Sequence, residues 1–201
     1  ADLITNAGAS RVVTVDLHAG QIQGFFDIPV DNLFTTNLFA RYIKKKFKKK
    51  NLVCVSPDIG GVQRTRGLAT KIKADLVIID KRRPEPGKSK VMNIIGDVKE
   101  KNCIIVDDII DSGGTIINAV EALKRAGAID VYVFITHAVL SGEAVEKIKK
   151  SKIKKLIITD TIENTLKIKN NSKIEVISIA SLMAEAINRI SNSTSVSDLF
   201  N

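Results

Sequence analysis

Residues 104–115 bring three carboxylates and a small-residue turn into one short stretch. The apolar run Ile104, Ile105 and Val106 leads into adjacent acids, Asp107 and Asp108. Ile109 and Ile110 then lead to Asp111, Ser112, Gly113, Gly114 and Thr115. Carboxylates at the carboxyl end of a strand accept hydrogen bonds from sugar hydroxyls. Small turn residues leave backbone N–H groups free to cradle a phosphate at a helix N-terminus. Together these groups suit a ribose 5-phosphate. The plain alternative is an ordinary strand–turn–helix whose polar residues mark an exposed strand end.

Two further segments carry chemistry. Asp16, Leu17 and His18 precede a small-residue turn, Ala19 and Gly20. A lone histidine after a strand often serves structure, yet an acid before it and a turn after it would let it reach a ligand or a metal-bound phosphate. Both roles are open. Asp58 follows Ser56 and Pro57 and precedes Gly60 and Gly61, where backbone can approach a ligand closely. Residues 80–90 form a long basic stretch: Lys81, Arg82, Arg83, Lys88 and Lys90 with Pro84, Pro86 and Gly87. A loop of this composition is a solvated excursion or a lid over an anion.

The elements that must position these groups alternate. Apolar runs at 11–17, 52–55, 76–79, 103–106, 131–136, 156–159 and 175–179 predict strands. Helical spacing is found over 36–50, from Gly61 to about Ala74, from Gly114 to about Gly127, over 142–150 and over 181–191. Such alternation predicts an α/β fold with a mostly parallel sheet flanked by helices. In such sheets ligands bind outside the carboxyl ends of the strands, and every segment singled out above falls at such an end. His137, after one strand and before a turn, reads as structural.

Composition excludes several classes. At 201 residues the chain can bury a sizeable core, and 44% hydrophobic with 26% charged residues suits a globular protein. No apolar run is long enough to span a bilayer, and the start lacks a secretory pattern. The chain begins without Met, in what reads as a helix ending at Gly8, so its start is expected upstream. Cys54 and Cys103 fall inside predicted strands and read as structural thiols, with a cytoplasmic location following. The net charge of +9 lies largely in Lys44–Lys46 and Lys48–Lys50 at a helix end, where cations suit the helix dipole. With 4% aromatics and no stacking platform, the basic excess points to polyanionic small substrates, not nucleic acid.

Residues 104–115 resemble the phosphoribosyl-pyrophosphate motif of the type I phosphoribosyltransferase superfamily, which implies a phosphoribosyltransferase-like fold. All the segments above, with residues 24–33, 91–98, 136–142, 159–162 and 195–200, resemble one family closely, the ribose-phosphate pyrophosphokinases of the bacterial, phosphate-activated class. The resemblance implies transfer of the diphosphoryl group of ATP to the C1 hydroxyl of ribose 5-phosphate, for nucleotide biosynthesis. Asp107 and Asp108 would hold the ribose hydroxyls, directly or through Mg²⁺. Asp111, Ser112, Gly113, Gly114 and Thr115 would cradle the 5-phosphate. His18 and Asp58 match magnesium and ATP-phosphate contacts, and Lys81 and Arg83 the catalytic pair of a closing loop. Ser195 and Ser197 match a segment lining a regulatory site for phosphate or ADP, with inorganic phosphate as activator. Homo-oligomers, hexameric in the family, are implied.

The chain departs from the family in places. The phosphate turn reads Ser-Gly-Gly-Thr where Thr-Ala-Gly-Thr or Thr-Cys-Gly-Thr is more usual, and Glu163 replaces a usual proline. The larger departure is that most of the family's first domain is missing. Residues 1–35 are expected to be the end of that domain with an inter-domain segment, 36–180 the phosphoribosyltransferase-like domain, and 181–201 a C-terminal helix and tail. The alternative function is an inactive truncated homologue that binds ribose 5-phosphate or regulates a full-length synthetase. A transferase acting on a nucleobase shares the first motif but leaves the His18 and Asp58 segments unexplained.

Overall fold

The structure is a computed structural model that describes residues 1–47, 51–82 and 91–199. A short helix α1 (Asp2–Asn6) leads to strands β1 (Val12–Val15) and β2 (Val30–Leu33). These pair in parallel as a small sheet of their own, bridged by a 3-10 turn at Gly20–Phe25. Then follow α2 (Thr36–Lys46), β3 (Leu52–Ser56), α3 (Val62–Ile72), β4 (Asp75–Arg82), β5 (Val91–Ile95) and β6 (Asn102–Ile110). The chain continues through α4 (Gly114–Arg125), β7 (Val131–Ala138), α5 (Ala144–Lys150), β8 (Lys155–Thr159), α6 (Thr165–Ile168), β9 (Ile174–Ile177) and α7 (Ala180–Ser191).

Strands β3 to β9 make one seven-stranded sheet in the order β5-β4-β3-β6-β7-β8-β9. All neighbours are parallel except β4 and β5. Parallel strands covered on both faces need near-continuous apolar runs, which β3, β6, β7 and β8 supply. On one face Val53, Ile105, Val133 and Ile158 pack against Ile116, Val120 and Leu123 of α4 and Ile148 of α5. On the other, Cys54, Ile104, Phe134 and Ile157 pack against Phe39 and Ile43 of α2 and Leu68 of α3. From β3 the chain runs outward through β4 to β5, then returns to place β6 on the other side of β3. The order therefore reverses between β3 and β6, and the crevice outside their carboxyl ends is the ligand site such sheets provide.

Several boundaries differ from those expected. The strand predicted over 11–17 stops at Val15, because Asp16 takes a left-handed backbone with φ of 45°. Strand β6 does not end at the acids. Asp107 pairs with Ile135 and Ile109 with His137, so the acids lie within the ladder and the turn begins at Asp111. The irregular segment expected from Asp80 is strand as far as Arg82, where a β4–β5 pairing holds it: Asp80 lies opposite Asn93 and Lys81 opposite Met92. Arg83 and the rest of the basic stretch to Lys90 lie outside the described residues, as do Lys48–Lys50. Cys54 and Cys103 are fully buried and free, one in each core layer. Among the described residues no helix is long and apolar enough to cross a membrane.

Candidate active site

The two adjacent acids on β6 have different surroundings. Asp108 is buried, and its two oxygens are taken by the protein: Oδ1 accepts from Arg64 Nη1 at 3.1 Å and Oδ2 lies 2.8 Å from His18 Nδ1. Asp107 accepts at Oδ1 from Arg64 Nη1 at 3.2 Å and from the Asp108 N–H at 3.0 Å. It also lines a pocket of about 230 Å³ with Ile109, Asp111, Ser112, Gly113 and Thr115. Asp107 therefore faces the phosphate turn, while Asp108 faces His18.

Burial pushes the Asp107 carboxyl up, to about 7, with the neighbouring Asp108 charge and hydrogen bond adding to the rise. Burial also acts to raise Asp108, but the hydrogen bond to Asp107, the Arg64 guanidinium and the His18 contact outweigh it and hold it below the ordinary carboxylate range. Two buried acids side by side divide their titration in this way, one ionised and one holding its proton longer. An ionised Asp108 accepts, so His18 Nδ1 is the donor.

The phosphate turn is built by local chemistry. Gly113 has φ of 78°, a conformation that glycine adopts without cost, and it caps the twelve-residue helix α4. Asp111, Ser112, Gly114 and Thr115 are exposed around it. The first turn of α4 thus presents N–H groups and the positive end of the helix dipole to the pocket.

At the end of β3, Asp58 Oδ1 accepts from the Gly61 N–H at 3.0 Å, and Ser56 Oγ donates to the Asp58 carbonyl at 2.6 Å. Asp58 Oδ2 lies 3.9 Å from Lys81 Nζ, and the Asp58 side chain is 47% exposed. The side chains thus form two groups across the ends of β4, β3 and β6: Lys81 with Asp58, and Arg64 with the acid pair and His18. His137, read as structural, is bound at both ring nitrogens, Nε2 to the Val15 carbonyl at 2.8 Å and Nδ1 to Thr161 Oγ1 at 3.1 Å. Ser195 and Ser197 are bonded to each other at 2.9 Å, and Arg189 of α7 donates to the Ser195 carbonyl at 2.8 Å. Their recorded partners belong to the C-terminal segment, not to the acid pair.

Comparison with known proteins gives the setting for this geometry. Residues 83–201 match the family described as phosphoribosyl synthetase-associated domain. The chain belongs to the ribose-phosphate pyrophosphokinase family. Among curated family members it is 55% identical over 200 residues to the ribose-phosphate pyrophosphokinase of Agrobacterium fabrum, covering 100% of this chain and 64% of that protein. It is 57% identical over 201 residues to that of Mesorhizobium japonicum, covering 65% of the relative. A crystal structure of phosphoribosylpyrophosphate synthetase from Mycobacterium smegmatis superposes with a TM-score of 0.89 at 40% identity, over 96% of this chain and 62% of that one. The chain thus spans just under two thirds of the length of these pyrophosphokinases.

The sequence singled out every member of these two groups except Arg64. A signal was present. Arg64 is the third residue of α3, where a cation opposes the helix dipole, so its position is favourable only with an anionic partner.

Proposed function

We propose that the protein acts as a ribose-phosphate diphosphokinase, transferring the diphosphoryl group of ATP to the C1 hydroxyl of ribose 5-phosphate. The observation that carries this reading is the placing of two charged groups, Lys81 with Asp58 and Arg64 with Asp107, Asp108 and His18, at the carboxyl ends of neighbouring strands beside the turn at 111–115. A module that only bound a sugar phosphate would have no use for the Lys81–Asp58 end. The products are 5-phosphoribosyl 1-pyrophosphate and AMP, and the setting is cytoplasmic nucleotide biosynthesis.

The residues divide the work. The turn Asp111–Thr115 holds the 5-phosphate, and Asp107 orients ribose hydroxyls from the adjoining strand. The C1 oxygen bonds to the β-phosphorus of ATP, the bond from that phosphorus to the α,β-bridging oxygen breaks, AMP leaves, and the hydroxyl proton is released. Negative charge gathers on the transferring group, and Lys81, with Arg83 two residues on in the sequence, stabilises that charge. His18 presents the far side of its ring, Nε2, toward the ATP phosphates.

Magnesium fits the donor set in a limited way. Among the described residues no three His, Cys, Asp or Glu side chains cluster as a cage. A half-exposed Asp58 suits a cation that keeps most of its ligands as water and substrate phosphates. Asp58 and His18 would hold it, and it would supply charge neutralisation on the phosphate oxygens. Ser195 and Ser197 are proposed to line a regulatory site for phosphate, and homo-oligomers are proposed for the full assembly. Residues 1–35 are proposed to end a preceding domain.

The test is AMP formation from ATP, followed by chromatography with Mg²⁺, with and without ribose 5-phosphate. AMP that depends on ribose 5-phosphate supports diphosphoryl transfer. No AMP, with ribose 5-phosphate still binding by calorimetry, would favour the alternative of a sugar-phosphate binding remnant.

A further inference from the structure

Asp16 stands two residues before His18, in a segment rich in ligand-type side chains, and it has no room to serve as a ligand. The residue is 2% exposed, and one carboxylate oxygen, Oδ2, accepts three hydrogen bonds: from Thr35 Oγ1 at 2.5 Å, Thr136 Oγ1 at 2.6 Å and the Thr35 N–H at 3.2 Å. All three donors are neutral. The backbone around it is fixed residue by residue. The Val15 carbonyl accepts from His137 Nε2 at 2.8 Å, the Asp16 N–H donates to the Leu33 carbonyl at 2.8 Å, and the Leu17 N–H donates to Asn32 Oδ1 at 3.1 Å. The next side chain is His18.

Strand register explains the arrangement. Asp107 faces Ile135 and Ile109 faces His137, so Asp108 and Thr136 lie side by side on β6 and β7. Asp16 is bonded to Thr136 and His18 to Asp108. The two polar residues of the Asp-Leu-His sequence are therefore received by neighbouring positions of adjacent strands. Reaching both requires the chain to turn at Asp16, whose φ is 45°. The His18 side chain is 80% exposed with one polar contact among the described residues, and one contact at an exposed side chain is too weak to fix an imidazole.

We propose that Asp16 is a positioning residue that docks the β1–β2 segment on β7, so that His18 is held against Asp108 before any substrate binds. This inference rests on the reading of His18 as an active-site residue, but its test does not need activity. Asp16 acts through the backbone and touches neither substrate nor phosphate.

The chain has two histidines, His18 and His137, so ring-nitrogen NMR of protein labelled with ¹⁵N-histidine gives two patterns, and His18→Gln assigns them. In the unaltered protein the His18 Nδ1–H should be seen bonded to a carboxylate. Asp16→Ala should lose that signal and leave His18 with the averaged pattern of a free imidazole. Asp16→Asn should keep it, since the amide oxygen still accepts from the threonines and Asn tolerates the left-handed backbone. A His18 pattern unchanged in Asp16→Ala overturns the proposal. If Asp16→Ala does not fold by circular dichroism, Thr136→Val is read in the same way: loss of the signal supports the anchor and retention overturns it. Because no ATP or ribose 5-phosphate is present, this result stands apart from whether AMP is formed.

Discussion

Arg64→Met tests the electrostatics of the acid pair most directly. The substitution keeps an unbranched side chain and removes a guanidinium that contacts both carboxylates, at 3.2 Å and 3.1 Å. Side-chain exposures are 19% for Arg64, 17% for Asp107 and 3% for Asp108, so the charges are largely desolvated. Removing one partner of a buried ion pair costs about 3–5 kcal/mol, and residual exposure together with proton uptake by Asp107 should reduce this to about 2–3 kcal/mol near pH 8. The dependence on pH has a definite sign. Asp107 stands at about 7 in the folded protein against an ordinary 3.8, so the folded state binds the extra proton between those values. Stability from this group is therefore present below about pH 4, falls as pH rises through the window, and is lowest above about pH 7. Near pH 5.5 Asp107 is protonated with or without Arg64 while Asp108 stays ionised, so the cost of the substitution should shrink only to about 1.5 kcal/mol, that of a hydrogen bond to one charged group. Urea unfolding followed by circular dichroism, with chelator present, measures both values. The double variant Arg64→Met, Asp107→Asn should recover more than half of the loss near pH 8. Equal losses at the two pH values would refute the reasoning, because the guanidinium would then not be compensating the Asp107 charge.

Lys81→Ala should lower turnover on the order of 10²-fold while leaving ribose 5-phosphate affinity within about twofold, and equal loss in both would remove it from the transferring group. Gly113→Ala has space, the nearest atoms to a new Cβ being side-chain carbons at 3.7 Å and beyond, but φ of 78° strains any L side chain. That strain of about 1–2 kcal/mol should weaken ribose 5-phosphate binding about tenfold by calorimetry, and an unchanged affinity would take the turn out of the phosphate site. Both cysteines are fully buried, and burial pushes each thiol up to about 12, so an aromatic disulfide reagent should leave them unmodified in the folded protein and label both after denaturation. Rapid labelling in the folded state would contradict the two-layer core.

The parallel sheet was legible because its central strands are buried on both faces and so read as unbroken apolar runs. The turn at residues 111–115 was legible as a turn because its geometry is local: Gly113 must adopt a positive φ within the same short segment that supplies Asp111 and Thr115. What the sequence concealed depends on contacts between distant segments. Nothing in the neighbours of Asp107 shows that strand pairing with Ile135 carries β6 past the acids. Nor do they show that Asp107 faces the phosphate turn while Asp108 turns toward His18. Arg64 was concealed for the same reason, its two partners lying 43 and 44 residues away. The pairing of β5 with β4 spans a proline-rich stretch that local pattern reads as loop.

The separations in sequence also set an order of assembly. The turn at Gly113 can form as soon as β6 and α4 meet, within a dozen residues of chain. The His18–Asp108 contact closes a span of 90 residues and the Asp16–Thr136 bond one of 120. Such closures come late, since long loops must be ordered before the contact rewards them. A chain emerging from the ribosome would therefore own the turn at 111–115 well before it owned a place for His18. Any partly folded form that kept the large sheet but released the β1–β2 segment would retain the turn at 111–115 while lacking the His18–Asp108 contact. Native-state hydrogen exchange at Asp16 and Thr35 would then report the competence of the whole site, independently of global unfolding.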